Sequence, residues 1–402
     1  MQTILESKVG RGKVLLLIGP RQVGKTTLLK SMMEKLPPAK TQFWNCDESE
    51  VRKFLSEPNS AKLRSLVGNA DFIVIDEAQR VQDIGLTLKL LHDTFPQVQL
   101  AVTGSSSLDL SNSMNEPLTG RKFEYNLFGF STQELVQHTS LLEESRQLHN
   151  RLLFGFYPDV VNNPGDEKEI LANIVNSYLY KDVFEFQDIR RPAVIEKLVQ
   201  ALALQVGSEV SFNELGRLLG IDVQTVQRYV DLLEKAYVIF HLRSYSRNVR
   251  NELKKSVKIY FYDNGVRNGV LSSFSPWELR SDTGSLWENF LISQRIKNNL
   301  YHNRSRKYYF WRTTQRQEID FIEEAENQLF AYEFKYSGKK GGVKCPLTFS
   351  NNYPDVPFSV VTQDNYMEFV TDWCSAWPYS CSLQERSVIS TLKTQVASSI
   401  SG

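Results

Sequence analysis

The chain has 402 residues, room for two or three domains of ordinary size, and its 41% hydrophobic and 23% charged residues describe a globular, soluble protein. A net charge of +1 excludes a global polyanion-binding signature but leaves a local basic face open. Cys46, Cys345, Cys374 and Cys381 form no C-x-x-C pair and no zinc spacing, no apolar run is long enough to span a membrane, and MQTILESKVGRGK has no signal-peptide apolar core, so a reduced, cytoplasmic protein with no membrane partner is expected.

The first predicted element is the apolar strand LLLI at 15–18. It runs into Gly19-Pro20-Arg21-Gln22-Val23-Gly24-Lys25-Thr26 and then into a helix over 26–35. This is G-x-x-x-x-G-K-[ST], the P-loop pattern, in its strand-then-helix context. The glycines let backbone N–H groups curl round phosphates at a helix N-terminus. Lys25 is expected to reach the β- and γ-phosphates and Thr26 to hold Mg²⁺ through its hydroxyl, with Thr27 completing the ATP-binding set.

Pro37-Pro38 breaks the helix, and TQFWN at 41–45 is the next strand. FIVIDE at 72–77 reads as a buried parallel strand ending in acids at the carboxyl edge of the sheet. Asp76 is expected to bind Mg²⁺ through water, and Glu77 to act as general base on the attacking water. A helix over 84–94 and a strand over 99–104 follow, the strand stopping at Thr103-Gly104-Ser105-Ser106-Ser107. Ser105 or Thr103 is the candidate phosphate sensor, against a plain serine-rich turn. Arg121 in LTGRKFEYNL is either an arginine finger, acting in cis or on a neighbouring copy in a homo-oligomer, or a solvated surface residue. Alternating helices and buried strands make residues 1–130 a parallel α/β ATPase core.

Residues 131–192 turn helical and read as a lid or connector. In 193–271, a short helix at 213–219, the turn Gly220-Ile221-Asp222 and a second helix at 223–235 form a helix-turn-helix signature, with the strands YVIFHLRSY and KIYFYD as a wing. Gln224, Thr225, Gln227 and Arg228 fall on the exposed face of the second helix, in reach of phosphates or base edges. Arg243, Arg247 and Arg250 add a tyrosine-interleaved basic cluster suited to DNA, as do Lys254-Lys255, Arg304 to Lys307 and Lys339-Lys340. The competing reading is a winged helix serving as a protein–protein spacer.

Residues 272–386 carry another constellation. The helix GSLWENFLISQRIKNNL contributes Glu288; KYYFWR at 307–312 is a strand; EIDFI at 318–322 opens a second strand with acids; EEAENQ is a hairpin turn; LFAYEFKYS at 329–337 returns. Alternation puts Glu333 and Lys335 on one face, with Asp320 on the adjoining strand. Asp320 and Glu333, completed by Glu288, could hold Mg²⁺ or Mn²⁺ for phosphodiester hydrolysis, with Lys335 positioning the nucleophile or screening charge. The bland reading is a hairpin with exposed charges. The tail 387–402 is expected to be frayed.

Taken together, GPRQVGKTTLL, FIVIDEAQ, VTGSSS, LTGRKFEYNLF, YLYKDV, GSLWENFL, EIDFI and YEFKYS resemble the bacterial and archaeal ATPases that join an N-terminal AAA-type domain (AAA_14) to a C-terminal domain of unknown function (DUF4143). The resemblance spans about residues 10–370. It implies an AAA+ P-loop core, a helical lid, a winged-helix module and a nuclease-like domain of the PD-(D/E)xK type, whose motif residues fall on Glu288, Asp320, Glu333 and Lys335. Ile319 stands where the motif has proline. The function implied is an ATP-hydrolysing protein that engages DNA; the alternative is a regulatory switch whose C-terminal modules bind protein and cut nothing.

Overall fold

The computed structural model describes residues 1–56, 59–104, 117–179, 191–246, 257–337 and 342–371. Five short runs in the first third form strands β1 (Val14–Ile18), β2 (Thr41–Asn45), β3 (Phe72–Asp76), β4 (Gln99–Gly104) and β5 (Lys122–Asn126), in the order β2-β3-β4-β1-β5 with each neighbouring pair parallel. Every residue of β1 and β3 is buried, as a sheet covered on both faces requires. Alternation divides them: Leu15, Leu17 and Val74 pack to one side, while Val14, Leu16, Ile18, Ile73 and Ile75 pack to the other with Leu55, Leu63 and Leu88.

Helix α1 (Lys25–Met33) leaves β1 through the glycine loop, and α2 (Ile84–Thr94) lies between β3 and β4. From β1 the chain runs to the far edge at β2, fills back through β3 and β4, and crosses β1 to reach β5. The carboxyl end of β1 is therefore a topological switch point, where open α/β sheets form their ligand crevice. Short helices follow from Thr132 to Asn173, with a π-helical turn over Ile174–Leu179. The first begins with a capping box in which Ser131 and Glu134 satisfy each other's backbone N–H.

The helices α3 (Pro192–Leu204), α4 (Phe212–Leu219) and α5 (Val223–Lys235) come next, with strand β6 (Glu209–Val210) between the first two. Ser211 and Asp222 cap α4 and α5 through the N–H groups of Glu214 and Thr225. Gly220 ends α4 at φ +66°, the left-handed residue such a tight turn requires. Strands β7 (Ile239–Ser244) and β8 (Val257–Phe261) pair antiparallel, and β6 adds to the other side of β8. After α6 (Asn264–Val270) and the long α7 (Thr283–Tyr301), strands β9 (Lys307–Arg312), β10 (Glu318–Ala325), β11 (Gln328–Phe334) and β12 (Phe358–Val361) complete the chain's second sheet.

That sheet is continuous across segments the sequence suggested reading separately. Its order is β12-β11-β10-β9-β7-β8-β6, joined where Arg243 and Ser244 of β7 pair in parallel with Tyr309 and Phe310 of β9. The β10–β11 hairpin also turns later than expected. The strand runs on to Ala325, and Glu326 and Asn327, both at positive φ, make a two-residue turn. Glu323, expected in the turn, is instead buried in the strand and held by Arg295 at 2.7 Å and Arg306 at 3.2 Å. Paired guanidinium groups make that buried carboxylate tolerable. Among the described residues, no helix is long and apolar enough to cross a membrane.

Candidate functional site

The P-loop forms at the switch point. Gly24 caps α1 at φ +91°, and Gln22 also takes a positive φ of 61°. Gly19 lies so close to β5 that a Cβ on it would stand 1.9 Å from the Leu127 carbonyl oxygen, so only glycine fits. Lys25 is buried, and its Nζ donates to the carbonyls of Gly19 at 2.9 Å and Pro20 at 2.7 Å. The Val23 side chain packs into the core, while Arg21, Gln22, Gly24, Lys25, Thr26 and Thr27 line an open cleft of about 580 Å³, within the usual range for a small-molecule site.

β3 delivers its acids to the same cleft. Thr26 Oγ1 donates to the Asp76 carboxylate, 3.0 Å from Oδ1 and 2.9 Å from Oδ2. Thr103, wholly buried at the end of β4, donates to Asp76 Oδ1 and accepts the Glu77 N–H at 3.0 Å. Glu77 sits at φ +54°, a left-handed conformation rare for a non-glycine residue, and its Oε2 accepts from Gln79 Nε2 at 2.6 Å. Of the two sensor candidates, Thr103 is in the site as the residue that orients Asp76 and Glu77; Ser105 lies outside the described residues.

Arg121 is not brought to this cleft. Its carbonyl accepts the N–H of Val14, at the start of β1, whereas the P-loop leaves from the end of β1. β1 and β5 are parallel, so a strand's length separates the two and a finger in cis is ruled out. Its guanidinium instead holds Asp93 at 2.8 Å and 3.2 Å, which keeps the Asp93 carboxyl down at about 2.

On α5, Gln224 and Arg228 are exposed as expected, with the Arg228 guanidinium 5.5 Å from the Tyr229 ring centre. Thr225 is half-buried, and its hydroxyl is engaged with the Asp222 carboxylate at 2.6 Å, so it serves the helix cap. Arg243 lies half-buried on β7. Arg247 and Arg250, the pairs Lys254-Lys255 and Lys339-Lys340, and the tail 387–402 lie outside the described residues.

The C-terminal motif residues do converge. Asp320 Oδ2 accepts the Phe334 N–H at 2.8 Å, one residue beyond Glu333, and Lys335 Nζ meets Glu333 Oε1 at 2.7 Å. Glu288 Oε1 accepts from the Tyr260 hydroxyl at 2.6 Å and from Lys258 Nζ at 3.2 Å. Burial, with Glu288 and Glu333 alongside, pushes the Asp320 carboxyl up to about 8. Burial works against the Lys258 ammonium, but Glu288 and Glu318 outweigh it and hold its pKa above the ordinary lysine value.

The metal site expected on Glu288, Asp320 and Glu333 is not found: among the described residues, no three His, Cys, Asp or Glu are grouped to hold an ion. Lysine ammonium groups pair the carboxylates instead. Lys258 and Tyr260 escaped the sequence reading, although a lysine inside the apolar run KIYFYD signals a buried polar position. Asp263 escaped it too. It caps α6 and accepts the Phe156 N–H at 2.8 Å, against Gly155, where a Cβ would lie 1.9 Å from its Oδ1.

Residues 11–136 match the AAA domain family AAA_14, residues 145–276 match a domain of unknown function (DUF8612), and residues 283–381 match a domain of unknown function (DUF4143). Among curated proteins, an uncharacterized protein of Mycobacterium tuberculosis is 27% identical over 338 residues, which is 82% of this chain and 72% of that one. An uncharacterized protein of Methanocaldococcus jannaschii is 24% identical over 407 residues, 92% of this chain and 89% of the relative. Among solved structures, the Aeropyrum pernix ORC1 protein in complex with DNA is similar at 13% identity and a TM-score of 0.34, over 69% of this chain and 91% of that one. An AAA domain match (AAA_14) thus covers the P-loop sheet, and a DUF4143 match covers Glu288, Asp320, Glu333 and Lys335, the two matches that the sequence motifs led us to expect.

Proposed function

We propose that the protein binds ATP with Mg²⁺ at the P-loop, hydrolyses it, and couples nucleotide state to engagement of DNA through α5 and the β7–β8 wing of a winged-helix module. The observation that carries the ATPase reading is the meeting of the Thr26 and Thr103 hydroxyls on the Asp76 carboxylate, in the same cleft as Lys25. That oxygen set fits Mg²⁺, which when bound supplies charge neutralisation between the β- and γ-phosphates. Lys25 exchanges its two carbonyl partners for phosphate oxygens, and Glu77 orients a water and takes its proton.

Coupling is supported by the side-chain hydrogen bond from Tyr237, which follows α5, to Asn126 at the end of β5. The test is DNA binding, as duplex, branched and single-stranded forms, measured with and without ATP across a salt series. Nucleotide-independent affinity would remove the coupling, and no affinity for any form would remove DNA as partner.

A second reading is favoured by the lysine pairing of Glu288 and Glu333. It is a regulatory switch ATPase whose C-terminal module recognises a partner without phosphodiester chemistry.

A further inference from the structure

Four carboxylates, Glu288, Glu318, Asp320 and Glu333, gather where α7 meets β10 and β11, and such a gathering calls for positive charge. The chain supplies it from a strand outside the acidic motif. Lys258, the second residue of β8, is 3% exposed. Its Nζ lies 3.2 Å from Glu288 Oε1 and 2.5 Å from Glu318 Oε1, with the Phe310 ring 5.4 Å away on β9.

Each carboxylate also has a further partner or one of its own. Glu288 Oε1 takes the Tyr260 hydroxyl, and Glu318 Oε2 faces Arg312 Nε at 3.8 Å. Glu333 Oε1 takes Lys335, and Asp320 Oδ2 takes a backbone N–H. A divalent ion needs several of these oxygens as direct ligands at roughly 2.0–2.6 Å. It would have to displace an ammonium that already bridges two of the acids.

We propose that Lys258 stands where a divalent cation would stand in this cluster, so that the native chain holds its acidic residues together with its own ammonium and takes up no divalent metal there. Lys335 is the lysine of the E-x-K motif; Lys258 is additional and arrives with the β7–β8 hairpin. The same contact fastens that hairpin to α7 and β10.

The test is isothermal titration of MnCl₂ into the full chain, in an Asp76→Asn background that removes the P-loop carboxylate. The expected result is no saturable uptake with Lys258 present. With Lys258→Met, one ion per chain is expected, with an apparent Kd at least roughly tenfold tighter than any residual binding before, and it should vanish again on adding Asp320→Asn. Thermal melting runs in parallel, with Mn²⁺ raising the transition of the Lys258→Met chain alone. Should Lys258→Met not fold by itself, recovery of a cooperative transition on adding Mn²⁺ supports the assignment, and failure to recover overturns it. Asp320-dependent Mn²⁺ uptake with Lys258 in place overturns it directly, as does a folded Lys258→Met chain that takes up nothing.

Discussion

Tyr237 donates its phenol hydroxyl to the Asn126 side-chain carbonyl at 2.8 Å. Asn126 is the last residue of β5, and the next residue, Leu127, presses its carbonyl against Gly19 at the start of the P-loop. Tyr237 lies in the turn from α5 to β7 at φ +58°, its ring 5.6 Å from that of Phe128 and 6.3 Å from that of Tyr262. One hydrogen bond thus spans the helix-turn-helix unit and the strand that touches the phosphate loop.

Tyr237→Phe keeps the ring and its packing but deletes this bond. ATP affinity should stay within about twofold, while the ATP-dependent change in DNA affinity shrinks by roughly 2- to 10-fold, the span of a net hydrogen bond. Fluorescence anisotropy on labelled DNA, with and without ATP, reads both. An undiminished ATP effect would place the coupling elsewhere.

At the P-loop, Lys25→Ala should abolish nucleotide binding, because it removes the ammonium that sits on the loop carbonyls of Gly19 and Pro20, ready to move to phosphate oxygens. Glu77→Gln should bind ATP normally and turn over about 10²- to 10⁴-fold more slowly, the usual worth of a positioned base. Equilibrium binding of a fluorescent ATP analogue separates the two variants. Equal turnover by Glu77→Gln and the parent would remove Glu77 from the base role.

The strands and helices here were largely legible because each obeys one period. FIVID and QLAVTG are short apolar runs bounded by polar turns, and Val226, Tyr229, Val230 and Leu233 recur at helical spacing. The P-loop was legible because its chemistry is contiguous. Arg121 was not, since a strand's direction in the sheet decides which edge its first residue occupies, and neighbouring letters do not record that. Lys258 was hidden for a related reason. It meets Glu288 and Glu318 only because β7 pairs with β9 across some sixty intervening residues, a non-local event outside any local pattern.

Asp320 gives the fold a pH dependence of unusual sign. Its folded pKa of about 8 lies above the ordinary aspartate value, so the folded protein favours the protonated carboxyl. The contribution is complete below the unfolded pKa and disappears as pH rises through the folded one. Stability should therefore fall between about pH 4 and pH 8, by at most about 1.4 kcal/mol per pH unit from this group. Asp320→Asn should flatten the trend. Urea unfolding at about pH 5, 6, 7 and 8 measures it, and the same slope in both chains would assign the trend to other groups.

The proposed engagement of DNA by a chain of net charge +1 requires a local basic surface, and its salt dependence should then reflect few neutralised phosphates. Arg228 stands exposed on α5 and Arg243 half-exposed on β7, and Arg247 and Arg250 follow β7 in sequence. Thr225 and Asp222 are bound to one another at the start of α5, which leaves Gln224, Gln227 and Arg228 as the outward reach of that helix face. Arginines that touch phosphates act without regard to sequence, whereas a glutamine on a groove-facing helix reads base edges. Replacing Arg243, Arg247 and Arg250 together by alanine should therefore flatten the slope of log K against log salt by about 0.9 for each phosphate left without its arginine. Gln224→Ala should leave that slope alone and narrow the affinity difference between preferred and unrelated sequences, each base pairing by a side chain being worth about 1–3 kcal/mol. A titration series from about 50 to 200 mM salt distinguishes them. If the triple variant keeps the parent's slope, the phosphate-binding face lies elsewhere on the molecule and the β7–β8 hairpin has a purely structural task.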